Sequence, residues 1–112
     1  MADYLQIYEK FKHVKEIEDY ISDVNTLRDH FQKQEFSAMQ EHIHKLTLKY
    51  PIETIIWNIV NTNKPITFEE SYINAESFLE FQGVFILTKT VENYTNFLSK
   101  EEITYIQSFN MN

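Results

Sequence analysis

Large apolar side chains recur every three or four residues along most of this chain, and that spacing constrains its fold more than any other feature. Met39, Ile43, Leu46 and Tyr50 give the clearest example. Residues at this spacing share one face of an α-helix, whereas a half-buried strand alternates at every second residue. The sequence therefore predicts an all-α fold, a compact bundle of about five helices in a single domain over residues 1–112.

The side chains available to fill the core are mostly large. The chain contains 9 Phe and 7 Tyr but 1 Gly, and alanine occurs only at Ala2, Ala38 and Ala75. Helices approach each other closely only where small residues line the contact. We therefore expect bulky aliphatic and aromatic side chains to fill the space between the helices.

The first segment, residues 3–33, carries two apolar seams with a seven-residue repeat. The first seam is Ile7, Val14 and Ile21, and the second is Ile17, Val24 and Phe31. Such a period favours lengthwise packing against a near-parallel helix. The sequence predicts one long first helix, the longest of the bundle, which ends or bends near residues 22–25. The same repeat would also allow a homodimer through this helix.

Apolar stripes and helix breakers predict the later elements. Pro51 disfavours helical geometry at Tyr50 and can open the next helix. A stop is predicted at residues 82–83, where Gln precedes the single Gly. Beyond it helical spacing resumes over residues 84–98, although GVFILTKTV would also suit a short strand at 84–90; we favour the helix. The predicted helices after the first are therefore 38–50, 51–61, 67–82, 84–98 and 100–109.

Several helix starts have the spacing of a capping box, in which two residues three positions apart bond each other's backbone. The pairs are Asp3–Gln6, Ser37–Gln40, Thr67–Glu70 and Ser99–Glu102. The last is the strongest, because Leu98 and Ile103 could add a hydrophobic staple. Acids in a first turn also favour the N–H-rich end of the helix. That role explains the acid pairs at Glu69–Glu70 and Glu101–Glu102 without catalysis.

The stretch EHIH is the first candidate for a chemical site. On a helix His42 and His44 project about 160° apart, so they cannot chelate one ion together. We interpret His42 as lying at the edge of the apolar stripe and His44 as solvated. A histidine-based metal protein is therefore the least favoured function, and we predict no metal or cofactor site.

Motifs for catalysis are lacking as well. A chain with a single glycine excludes phosphate-binding loops and the G-x-S-x-G nucleophile motif. With no cysteine it has no thiolate nucleophile. We predict a non-enzymatic protein without catalytic residues.

Residues 38–50, Pro51 and residues 51–61 could form a helix-turn-helix. The second helix, PIETIIWNIVN, contains no Lys or Arg, and TFEESYINAESFLEF contains four acids and no base. Since phosphate contacts supply most non-specific affinity, direct nucleic-acid binding is disfavoured. A nucleic-acid-associated helix-turn-helix or winged-helix protein is the alternative function.

The formal net charge is −7 and falls mainly on the C-terminal part, where residues 67–112 hold seven acids and two bases. Such a surface attracts basic partners. We predict a cytoplasmic accessory subunit, adaptor or inhibitor that binds a basic protein, with no signal peptide or membrane span.

Richness in Ile, Asn, Lys and Phe is typical of AT-rich genomes and indicates a bacterial, phage or mobile-element system. The predicted contacts are apolar residues off the core stripes and nearby acids: Trp57, Ile73, Phe81, Glu69, Glu70, Glu76 and Glu80.

Overall fold

The computed structural model describes residues 3–50 and 67–109, and in these ranges the chain is all-α, as predicted. It contains five α-helices and one short 3-10 helix, and no strand occurs within the two ranges. The elements are α1 (Leu5–Glu9), α2 (Lys15–Gln32), α3 (Phe36–Lys49), α4 (Phe68–Thr90), the 3-10 helix (Tyr94–Phe97) and α5 (Lys100–Gln107). The helix predicted at 51–61 lies outside the described residues.

The chain divides into two compact units, which we call the terminal unit and the central unit. The terminal unit contains the chain up to Ser22 and from Gly83 onward, and the central unit is Asp23–Gln82. The α2 and α4 helices contribute residues to both. The single domain over 1–112 stays a prediction.

The first segment is two helices, which corrects the prediction of one long first helix. The α1 helix ends at Glu9, and α2 begins at Lys15 and continues through residues 22–25 without ending. Between them the backbone N–H groups of Phe11 and Val14 bond carbonyls three residues back, at 2.9 Å each. These tight turns bring Phe11 into the core, where it is 2% exposed. The longest helix in the described ranges is α4.

The α4 helix also continues through residues 82–83, so the predicted stop there is wrong and the favoured helix at 84–90 is confirmed. Gly83 does not adopt a positive φ. Its lack of a side chain lets the rings of Tyr8 and Tyr20 approach the backbone of α4 closely. The helix ends at Thr90, short of the predicted 98, and the chain turns at Asn93, which has a φ of 55°.

The core of the terminal unit is made of large side chains, as its composition predicts. The rings of Tyr8 and Tyr20 meet edge to face with centroids 5.1 Å apart. Burying a side chain of this size contributes roughly 1.5–3 kcal/mol. The buried apolar residues of this unit are Leu5, Ile7, Tyr8, Phe11, Ile17, Tyr20, Val84, Ile86, Leu87 and Ile106.

In the same unit α5 begins with the predicted capping box. The backbone N–H of Glu102 donates to Ser99 Oγ at 3.2 Å, and the backbone N–H of Ser99 donates to Glu102 Oε1 at 2.8 Å. Lys10 Nζ donates to the same carboxylate oxygen at 2.7 Å. The cap therefore also connects α5 to the turn that follows α1.

The structure confirms the predicted apolar stripe of α3, and this stripe forms part of the core of the central unit. Met39, Ile43, Leu46 and Tyr50 are all buried. Gln40 Nε2 donates to the buried hydroxyl of Ser71 at 3.2 Å, which joins α3 to α4 beside the stripe. The other buried apolar residues of this unit are Val24, Leu27, Ala75, Phe78 and Leu79.

Candidate partner-binding surface

Four aromatic side chains from three helices of the central unit stack in sequence, and we call them the aromatic ladder. Phe31 of α2 lies between two rings of α4, with centroid distances of 4.0 Å to Tyr72 and 5.1 Å to Phe68. Phe36 of α3 continues the stack, with its centroid 5.6 Å from that of Phe68. Phe36 is 48% exposed, so the ladder ends at the surface.

The inner end of the ladder is held by a charged pair. The Tyr72 hydroxyl donates to the Glu76 carboxylate. Arg28 Nε and Nη2 donate to the two oxygens of Glu76 at 3.1 and 3.2 Å. Burial and the neighbouring Glu76 raise the pKa of Tyr72 well above its usual range. The hydroxyl is protonated at neutral pH, as an ordinary tyrosine is, and its hydrogen bond to Glu76 fixes the ladder at this end.

The outer end is set by the turn between α2 and α3. Gln34 has a φ of 57°, and the backbone N–H of Glu35 donates to the carbonyl of His30 at 2.9 Å. This turn makes Phe36 the first residue of α3. A helical side chain leans over the turn that precedes it. Phe36 has no helical turn before it, and its ring is left half in solvent.

Exposed acids follow Phe68 in the first turn of α4. Glu69 and Glu70 are both exposed, and neither makes an ion pair with a residue in the described ranges. The backbone N–H of Glu70 donates to Thr67 Oγ1 at 3.1 Å, so the side-chain cap predicted at this helix start is present. Both carboxylates are therefore exposed, and no Lys or Arg of residues 3–50 or 67–109 pairs with them.

Most of the basic groups in the central unit are already paired. Arg28 pairs with Glu76, Lys33 with Asp29 at 3.1 Å, and Lys49 with Asp23 at 2.8 Å. Lys45 is the one further base among residues 23–50 and 67–82, against eight acids in all. The acids that have no basic partner within these ranges include Glu69 and Glu70 in the first turn of α4.

Of the predicted contact residues, Ile73, Glu69 and Glu70 lie at the surface of α4. Ile73 is 58% exposed, three and four positions after the two acids, so all three share one side of the helix. We call Phe36, Phe68, Glu69, Glu70 and Ile73 together the acidic aromatic surface; around α4, Glu69 projects about 100° from Phe68, and Glu70 and Ile73 project farther from it.

The other predicted contacts are placed differently. The carboxylate of Glu76 is bound by Arg28 and Tyr72 inside the central unit. Glu80 and Phe81 are half-buried farther along α4. Trp57 lies outside the described residues.

Sequence reasoning missed the two rings of the acidic aromatic surface. By its spacing to Tyr72, Ala75 and Leu79, Phe68 belongs to the apolar stripe of the helix predicted at 67–82, which indicates a core position. Phe36 precedes the helix predicted at 38–50 and belongs to no predicted helix. The available signal was a lone ring between Glu35 and Ser37, outside every apolar stripe.

The two histidines of EHIH lie as the sequence predicted. His42 is half-buried, and its Nε2 lies 2.9 Å from the carbonyl oxygen of Asp23, whereas His44 is exposed. They do not form a shared site.

A different group brings metal-ligating atoms together at the turn after α2. Donor atoms of Asp29, His30 and Glu35 all lie within 4.8 Å of one another. Lys33 Nζ is already bound to the carboxylate of Asp29, and its pKa is raised by that hydrogen bond and by both acids. His30 Nδ1 lies 2.8 Å from Glu35 Oε1. Because the lysine ammonium supplies the cation here, the metal hypothesis gains no support from this cluster.

No protein-family model matches this sequence, and the searches of curated proteins and of solved structures gave no match either. None of the helices in the described part of the chain combines the length and the apolar character needed to cross a bilayer.

Proposed function

We propose that this protein is a small, acidic, non-enzymatic interaction module that binds a basic protein partner through the acidic aromatic surface. The observation that carries the proposal is the half-exposed ring of Phe36 at the end of a packed ladder, in a unit whose exposed acids include Glu69 and Glu70. The role would be that of an accessory subunit, adaptor or inhibitor in a bacterial, phage or mobile-element system.

The aromatic ladder supports binding because its outer ring is held before a partner arrives. Aromatic side chains dominate the energy of many interfaces, since they bury a large area with few rotatable bonds. Phe36 rests on Phe68, and Phe68 rests on Phe31. Ordering such a ring on binding costs less conformational entropy than ordering an isolated one.

The charge of the surface supports a basic partner. The exposed carboxylates of Glu69 and Glu70 attract positive surfaces over a distance of about 8–10 Å at physiological ionic strength. The same charges repel phosphate backbones, which disfavours the alternative of a nucleic-acid-associated helix-turn-helix protein. The second helix of that alternative falls outside the described residues.

The polar clusters of the described ranges support a non-enzymatic role. Their side chains are engaged in ion pairs, as in Arg28–Glu76, or in helix caps, as in Ser99–Glu102. These arrangements hold the helices and their ends together.

The test is capture of a partner by the immobilised full-length protein from a lysate of a low-GC bacterium. The wild type is compared with Phe36→Ala and with the double reversal Glu69→Lys, Glu70→Lys. Leu48→Ala is the matched control for the ring, because Leu48 is 68% exposed on the same helix. Glu41→Lys with Glu101→Lys is the control for net charge, since both acids are exposed.

We expect a basic protein to be retained by the wild type and by both controls, and to be lost by the two surface variants. Equal recovery by all variants would contradict this surface. Retention of nucleic acid in place of protein would favour the alternative function. Light scattering on the same samples tests the predicted homodimer through the first segment, residues 3–33.

A further inference from the structure

We draw no further inference here: the strongest candidate, the exposed face of Phe36 at the outer end of the aromatic ladder, carries none because nothing in the structure shows what covers it.

Discussion

The ring of Tyr20 fills the space that a side chain at position 83 would need. A Cβ on Gly83 would lie 2.5 Å from Tyr20 Oη and 2.8 Å from Tyr8 Cζ. Both tyrosines are fully buried, so neither ring can move aside freely. The single glycine of the chain is thus required by packing within the terminal unit.

Gly83→Ala should therefore destabilise the protein, although alanine is the better helix former by about 1 kcal/mol. Overpacking of a filled core costs about 1–3 kcal/mol, and we expect it to exceed the propensity gain. Thermal unfolding measures the difference. Ser77→Ala, at an exposed position of the same helix, is the control and should be neutral or slightly stabilising. A more stable Gly83→Ala variant would contradict the packing.

Glu76 should matter for stability, in contrast to its exposed neighbours in α4. Removing its carboxylate leaves the half-buried guanidinium of Arg28 and the hydroxyl of Tyr72 without their acceptor. We expect Glu76→Ala to lower the free energy of unfolding by about 1–3 kcal/mol in urea titrations. Glu69→Ala should change it by less than about 0.5 kcal/mol. Similar values for the two variants would show that the Glu76 network does not stabilise the fold.

Tyr72 should make the fold sensitive to alkaline pH. Burial and Glu76 raise its pKa in the folded state, whereas an unfolded tyrosine ionises near pH 10. Above about pH 10 the unfolded chain loses a proton that the folded chain keeps, so stability falls as the pH rises. The stability advantage of the wild type over Tyr72→Phe should shrink between about pH 9 and about pH 11.5. A constant difference across this range would contradict the raised pKa.

Glu102 should make the fold sensitive to acid. The hydrogen bond from Lys10, followed by the backbone N–H of Ser99, lowers the pKa of this carboxyl in the folded state. Its contribution is complete above the unfolded value of about 4.3 and is lost as the pH falls through the folded value. Glu102→Gln should flatten this part of the acid unfolding curve. Glu101→Gln, in the same first turn, should leave the curve unchanged.

The cap residue of that helix gives a related prediction. Ser99→Ala removes the oxygen that accepts from the backbone N–H of Glu102, and it should cost about 1 kcal/mol in thermal or urea unfolding. Ser99→Asp, which retains an acceptor, should recover most of the loss. A loss that Ser99→Asp does not recover would assign the effect to another contact.

The helices could be predicted from sequence where local signals agree. The apolar stripe of α3 and the cap of α5 both depend on residues within a few positions of each other, and both are present. The break after α1 and the continuity of α4 could not be predicted in this way. Both depend on residues far away in sequence. Phe11 is buried in a core formed by other segments, and Gly83 leaves space for the rings of Tyr8 in α1 and Tyr20 in α2.

The candidate surface was predicted in part. Ile73 is exposed, as its place off the apolar stripe indicated, and Glu69 and Glu70 are exposed beside it. Phe36 could not be identified, because its exposure depends on where α3 begins and on the Gln34 turn. The ion pair of Glu76 could not be predicted, because its partner Arg28 is 48 residues away in sequence.

Site-specific photo-crosslinking tests the central claim most directly. A photoreactive phenylalanine derivative replaces Phe36 in one sample and Leu48 in another, and each protein is irradiated in the lysate. We predict an adduct with a positively charged protein segment from position 36 and none from position 48. The adduct should disappear when Glu69→Lys and Glu70→Lys are added. Equal adducts from both positions, or an adduct that survives the charge reversal, would contradict the account.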